Sequence, residues 1–136
     1  GITATFVDPL CTEEELDALE RQVLRESEEE DKPNKGDLDS IIYIDSSFHD
    51  IIYQAADNQR LVQFINILQE QLQRFRAASL STPGRSKTAL EEHKKIVEAL
   101  SERNGELAAQ LAREHIENAE NAMILQMEEK GELSPR

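Results

Sequence analysis

A single cysteine, Cys11, rules out an internal disulfide and fits the reducing interior of a cell, so a cytoplasmic location is expected. Tryptophan is absent and aromatics make up only 4% of residues, so a core must be built from Leu, Ile, Val and Ala, as in helical bundles. No apolar run approaches the ~20 residues that cross a bilayer, and no charged-then-apolar leader opens the chain. Positive charge is scarce too. Fifteen Lys and Arg against 28 Asp and Glu leave a net charge of −13, which repels a phosphate backbone. No basic stripe with interleaved aromatics offsets it, so these residues are not expected to bind nucleic acid. The length of 136 residues suits one domain with a real core. The first residue is Gly rather than Met, and a natural N-terminus upstream is expected.

What is present reads as helix throughout. Residues 1–11, with Val7-Asp8-Pro9, form an irregular lead-in. Thr12 followed by Glu13, Glu14 and Glu15 is a capping-box start, with carboxylates at the positive end of the helix dipole. Leu16, Leu19, Val23 and Leu24 carry that helix to about Ser27. The acid run Glu28 to Asp31, followed by Lys32-Pro33-Asn34-Lys35-Gly36, reads as a turn and a solvated loop rather than a cation site. Asp37 caps a helix reaching about Ala56, and Asn58 caps the next. Leu61, Phe64, Ile65, Leu68, Leu72 and Phe75 form the cleanest amphipathic pattern, predicting one helix to about Ser79. After the loop Ser81-Thr82-Pro83-Gly84, Thr88 with Glu91 reads as a second capping box, and that helix stops near Asn104-Gly105. A long helix from about Glu106 to about Glu129 is Ala-rich on one side, which permits close helix approach. The expected organisation is therefore a lead-in over 1–11, one all-α antiparallel bundle over 12–130 and a tail over 131–136.

Four polar side chains interrupt these stripes. Asp45 and His49, one turn apart, lie within Leu38, Ile41, Ile42, Phe48, Ile52 and Ala56. His93 lies within Leu90, Ile96, Val97 and Leu100, and His115 within Leu111, Ala112, Ala119 and Ala122. Every histidine in the chain thus points where an apolar side chain belongs. A carboxylate and imidazoles turned into a core must be compensated. A divalent metal bound by Asp45, His49, His93 and His115 is one compensation; a hydrogen-bonded network, beginning with an Asp45–His49 pair, is the other. Such a donor set suits Zn, Ni, Mn or Fe rather than Ca or Mg, and four ligands around a six-coordinate ion leave two neighbouring positions for a carboxylate or hydroxy acid.

The segments Asp45-Ser46-Ser47-Phe48-His49, Ala55-Ala56-Asp57-Asn58 with Leu61, Glu92-His93-Lys94-Lys95-Ile96 with Ala99-Leu100, and Ala108, Ala112 and His115 stand in an order that resembles the effector-binding C-terminal (FCD) domain of FadR-type regulators in the GntR superfamily. The resemblance covers roughly residues 37–125. It implies a bundle holding a metal through Asp45, His49, His93 and His115, a small organic-acid effector on that metal, and a homodimer. It also implies a winged helix-turn-helix further upstream, through which alone the protein would meet DNA. Family domains begin with a helix whose Arg and Glu line the pocket, and residues 1–11 show no such helix.

Secondary pocket candidates are Asn118, one turn beyond His115, and Arg76 and Arg85, which flank the loop and would clamp a carboxylate. Met123 and Met127 read as core or interface filler, and Tyr43 and Tyr53 as helix–helix or dimer contacts. Three functions compete: a ligand sensor, a metal-dependent hydrolase, and a metal-free interaction module with an acidic surface. Against the hydrolase, Glu92 and Glu114 each point roughly a hundred degrees away from the neighbouring histidine on their own helix, leaving no general base in phase.

Overall fold

Thr12 Oγ1 accepts from the Glu15 amide at 3.1 Å and Glu15 Oε1 from the Thr12 amide at 2.8 Å, so the first helix starts on the reciprocal cap its sequence encodes. The computed structural model describes residues 12–32, 37–56 and 58–131; residues 1–11, 33–36, 57 and 132–136, on which the expected lead-in, part of the expected turn and most of the expected tail fall, lie outside the described residues. Six helices follow one another: α1 Glu13–Asp31, α2 Leu38–Ala55, α3 Gln59–Ile67, α4 Gln69–Leu80, α5 Arg85–Ser101 and α6 Gly105–Glu129. No strand occurs among the described residues, and the molecule is an all-α bundle. No described helix is long and apolar enough to cross a membrane.

Three expectations need correction. The acid run Glu28–Asp31 continues α1 instead of forming a loop. Glu29 pairs with Lys32 at 2.7 Å, and Glu30 accepts a hydrogen bond from Ser86 on α5, so tertiary contact offsets the unfavourable charge at a helix C-terminus. The expected single helix over 58–79 is broken at Leu68, whose ψ of 8° leaves the α region. The break lets α4 pack on α2 and α6, while α3 leans mainly on α2 and α4. The third correction concerns Thr88 and Glu91, which do not cap α5. The helix begins four residues earlier, after Gly84, and Thr88 Oγ1 instead donates to the Arg85 carbonyl at 3.0 Å. Gly84 sits at φ +81°, a conformation open to glycine and strained for other residues. This earlier start turns Arg85 into the bundle.

The core joins Leu16 and Leu19 of α1, Phe48 and Ile52 of α2, Ile96, Val97 and Leu100 of α5, and Ala108 and Ala109 of α6. Small residues on α6 let α5 approach closely, as the alanine pattern implies. The buried face of α2 is rotated from the expected stripe: Leu38 is exposed and Ile44 is buried. Asp45, His93 and His115 are all buried, at the end of the core where Phe48 stacks on the His93 ring with centroids 4.2 Å apart.

Candidate metal centre and effector cavity

Helices α2, α5 and α6 each deliver one histidine to the same point. One ring nitrogen from each of His49, His93 and His115 lies within 4.8 Å of the others. His93 Nε2 is 3.3 Å from His115 Nε2 and 3.6 Å from Asp45 Oδ1, while Asp45 Oδ2 is 3.7 Å from His49 Nε2. The four residues expected from the stripes are therefore neighbours in space.

The opposite nitrogens of two histidines are held from behind. His93 Nδ1 lies 2.8 and 2.9 Å from the oxygens of Glu26 on α1, and His115 Nδ1 lies 2.7 Å from Glu92 Oε1. Arg85 grips both oxygens of Glu92, Nη2 at 2.7 Å and Nη1 at 3.0 Å, and Asn118 Nδ2 donates to Glu92 Oε2 at 2.9 Å. On the other flank, Arg76 Nε is 3.5 Å from Asp45 Oδ2 and its Nη1 donates to Ser46 Oγ at 3.0 Å. Carboxylates behind imidazoles fix the ring orientation and make the inner nitrogen a better electron donor.

Two proton arrangements satisfy this geometry. Without a cation, a protonated Glu26 donates to His93 Nδ1, His93 Nε2–H donates to His115 Nε2, and His115 Nδ1–H donates to ionised Glu92. A cation held by the inner nitrogens would favour an ionised Glu26 accepting from His93 Nδ1–H, leaving both Nε2 atoms free to act as donors to it. Neutral histidines are common to both states. Burial pushes His93 down to about 3 against the opposing pull of Asp45, and pushes His115 down to about 4 against its hydrogen bond to Glu92. Burial, reinforced by the nearby Asp45 charge, raises Glu26 to about 8. Burial alone would raise Asp45 and Glu92 as well, but their partners win. His49, His93 and Arg76 hold Asp45 well below the usual carboxylate range, and bonds from His115, Arg85 and Asn118 hold Glu92 at about 2.

A cavity of about 450 Å³, counting its open mouth, adjoins the cluster. Asp45, His49 and His115 line it together with Arg76, Ser79, Tyr53, Arg85 and several apolar side chains. Both arginines expected as pocket residues thus line it, and both are buried rather than solvated. Asn118 is exposed and bonds Glu92 on the outer side. Tyr43 is largely exposed, whereas Tyr53 faces the cavity, where burial raises its hydroxyl despite the opposing Arg76.

Sequence reasoning missed Glu26 and dismissed Glu92. Glu26 continues the Leu16, Leu19, Val23 spacing by three residues, a signal that marks it as inward-facing. For Glu92 the rotation away from His93 is real. Its side chain serves the histidine of the next helix instead, which no single-helix projection reports. Carboxylates do stand beside the cluster, so the expected lack of one gives no ground against hydrolase chemistry. The donor set fits a borderline divalent ion: three imidazole nitrogens lie within 4.8 Å of one another, the Asp45 carboxylate stands against two of the rings, and the far nitrogens of His93 and His115 are already bonded. The lack of the family's Arg- and Glu-bearing first helix was read from residues 1–11, which lie outside the described residues; α1 brings Glu26 to the cluster.

Compared with known families, residues 4–118 match the model described as the FCD domain. Compared with curated proteins, the chain has no match. The matched span is most of the chain and contains the three clustered histidines and Asp45, together with Glu26, Arg76, Arg85 and Glu92. The chain accordingly belongs to the FCD family, the C-terminal effector-binding domains of GntR/FadR-type regulators.

Proposed function

We propose that this chain is the sensing half of a transcriptional regulator that holds a divalent transition metal (Zn, Ni, Mn or Fe) through Asp45, His49, His93 and His115. The observation that carries the reading is the pair of Nε2 atoms 3.3 Å apart, with each ring anchored by a carboxylate on its far nitrogen. Bound there, a metal would supply two adjacent positions for a small organic acid. This chain's own residues do the rest. Arg76 faces the effector from α4, Arg85 does so from α5, and the apolar wall between them excludes water. Asn118 acts on the effector only through Glu92. Effector binding then shifts α4 and α5 relative to α6, and a winged helix-turn-helix upstream changes its hold on DNA.

A homodimer is part of this reading. α3 buries none of its residues, and its Phe64 and Ile67 stand 61% and 76% exposed, an apolar face suited to a second copy. A cytoplasmic location follows from the regulatory role and from the single cysteine. The chain is read as a sensor and not an enzyme. A hydrolase is the alternative that Glu26 and Glu92 keep open, and the metal-free hydrogen-bond chain supports an interaction module.

Mass spectrometry of the purified chain decides the first point, with about one transition metal per chain expected. A thermal-shift screen of small carboxylates on the metal-loaded chain decides the second, since a bound acid raises the melting temperature by mass action. No metal in any preparation would leave the interaction module standing; turnover of esters or phosphates would favour the hydrolase. Arg76→Ala is expected to weaken a screened acid at least about tenfold, because a charged hydrogen bond is removed. Unaltered affinity would take Arg76 out of the pocket.

A further inference from the structure

We propose that the cavity contains a second subsite, built from Ser79 and Arg85, that selects a short dicarboxylic acid over a monocarboxylic acid of the same length. The inference rests on the metal-held sensor reading and adds to it the class of effector.

Two polar atoms here lack any protein partner. Ser79 Oγ and Arg85 Nε are both buried and make no hydrogen bond, although their residues are only 2% and 6% exposed. Both residues line the effector cavity. Ser79 stands one turn after Arg76 on α4, on the face that α4 turns towards the histidines. Neither atom belongs to the machinery behind the rings: Arg85 holds Glu92 and the His115 carbonyl through Nη1 and Nη2, leaving Nε free of that task. Buried donors almost always find acceptors, and those that do not mark places where something else arrives.

The chemistry of the pair narrows what arrives. An arginine Nε–H can only donate, and a serine hydroxyl can donate as well. A carboxylate accepts from both without bringing a proton of its own. Much of the remaining lining is apolar, with Leu72, Phe75, Ile116 and Ala119, and Arg85 lies close to His115, so the span from the histidines to this pair is short. A ligand that meets both ends therefore has a chelating acid head, a short carbon chain and a second carboxylate. A methyl group at the far end would leave both donors unpaired, and sites of this kind reject such analogues strongly.

Malate and 2-hydroxybutyrate test this directly. They share the hydroxy-acid head and chain length, and differ in a carboxylate or a methyl at the far end. Titrated calorimetrically into the metal-loaded chain, malate is expected to bind at least about tenfold tighter. In Ser79→Ala the ratio of the two affinities is expected to collapse towards one. The ligand-free Ser79→Ala chain is expected to melt no lower than the unaltered chain, since the hydroxyl it loses has no partner there; that result also shows that the variant folds. Equal affinity for the two acids, or a ratio that survives Ser79→Ala, overturns the subsite and leaves the metal-held sensor intact. A chain that takes up no metal and neither acid overturns the sensor reading itself, and the subsite with it.

Discussion

His93→Ala is expected to erase the difference in melting temperature between metal-loaded and chelator-treated protein. In the unaltered chain, free metal at a thousand times its dissociation constant stabilises the fold by about 4 kcal/mol. For a chain of this length that is roughly 10–20 °C in Tm. His93 is the hub of the cluster: fully buried, it touches Glu26, Asp45 and His115 through its nitrogens and Phe48 through its face. Its removal deletes a proposed ligand, strands the Glu26 carboxyl and opens space under Phe48, so the metal-free form should also lose roughly 2–4 kcal/mol. The two effects separate in one experiment, because only the first depends on the chelator. Equal melting of the unaltered chain with and without chelator would sink the metal assignment, whatever the variant does.

Arg85→Ala should be the most damaging change that leaves every proposed metal ligand in place. Removing one partner of a buried ion pair exposes the other to the full penalty of an unpaired charge, about 3–5 kcal/mol. Here the lower end applies, because His115 and Asn118 still bond Glu92. Metal affinity should fall as well, by about 10–100-fold, because Glu92 would no longer hold the His115 ring. Arg85→Lys cannot restore the fork, since an ammonium grips one point where the guanidinium grips two. The exposed Lys94–Glu91 pair, at 3.4 Å within one helix, is the control: Lys94→Ala should change stability by less than about 1 kcal/mol. Urea midpoints for the two variants give the comparison. Similar losses in both would mean that the Arg85–Glu92 pair is no more than a surface contact.

Local signals were read correctly where the physics is local. Thr12, Asp37 and Asn58 cap the helices they were expected to cap, because an N-cap depends on residues within one turn. The Leu90, His93, Ile96, Val97, Leu100 stripe is buried throughout, because the helical period is a property of the chain itself. Errors arose where a neighbouring helix had a say. Thr88 looks like a cap in isolation, yet Gly84 lets α5 start earlier, against the loop that Thr82 ties to the Ala122 carbonyl of α6 at 2.9 Å. The apolar series from Leu61 to Phe75 is continuous, but the helix breaks at Leu68 so that α4 can pack where α3 does not.

The sequence alone determined that this is an all-helical chain, that its charge repels nucleic acid, and that three histidines and Asp45 lie on faces meant to be buried. Those conclusions need only composition and the 3.6-residue period. Tertiary structure decided that the four side chains meet, that Glu26 and Glu92 stand behind two of the rings, and that Ser79 and Arg85 share a cavity. Distances between residues 67 positions apart, such as Glu26 and His93, depend on how α1 lies against α5. Interhelical packing sets that relation, and no periodicity within one helix encodes it.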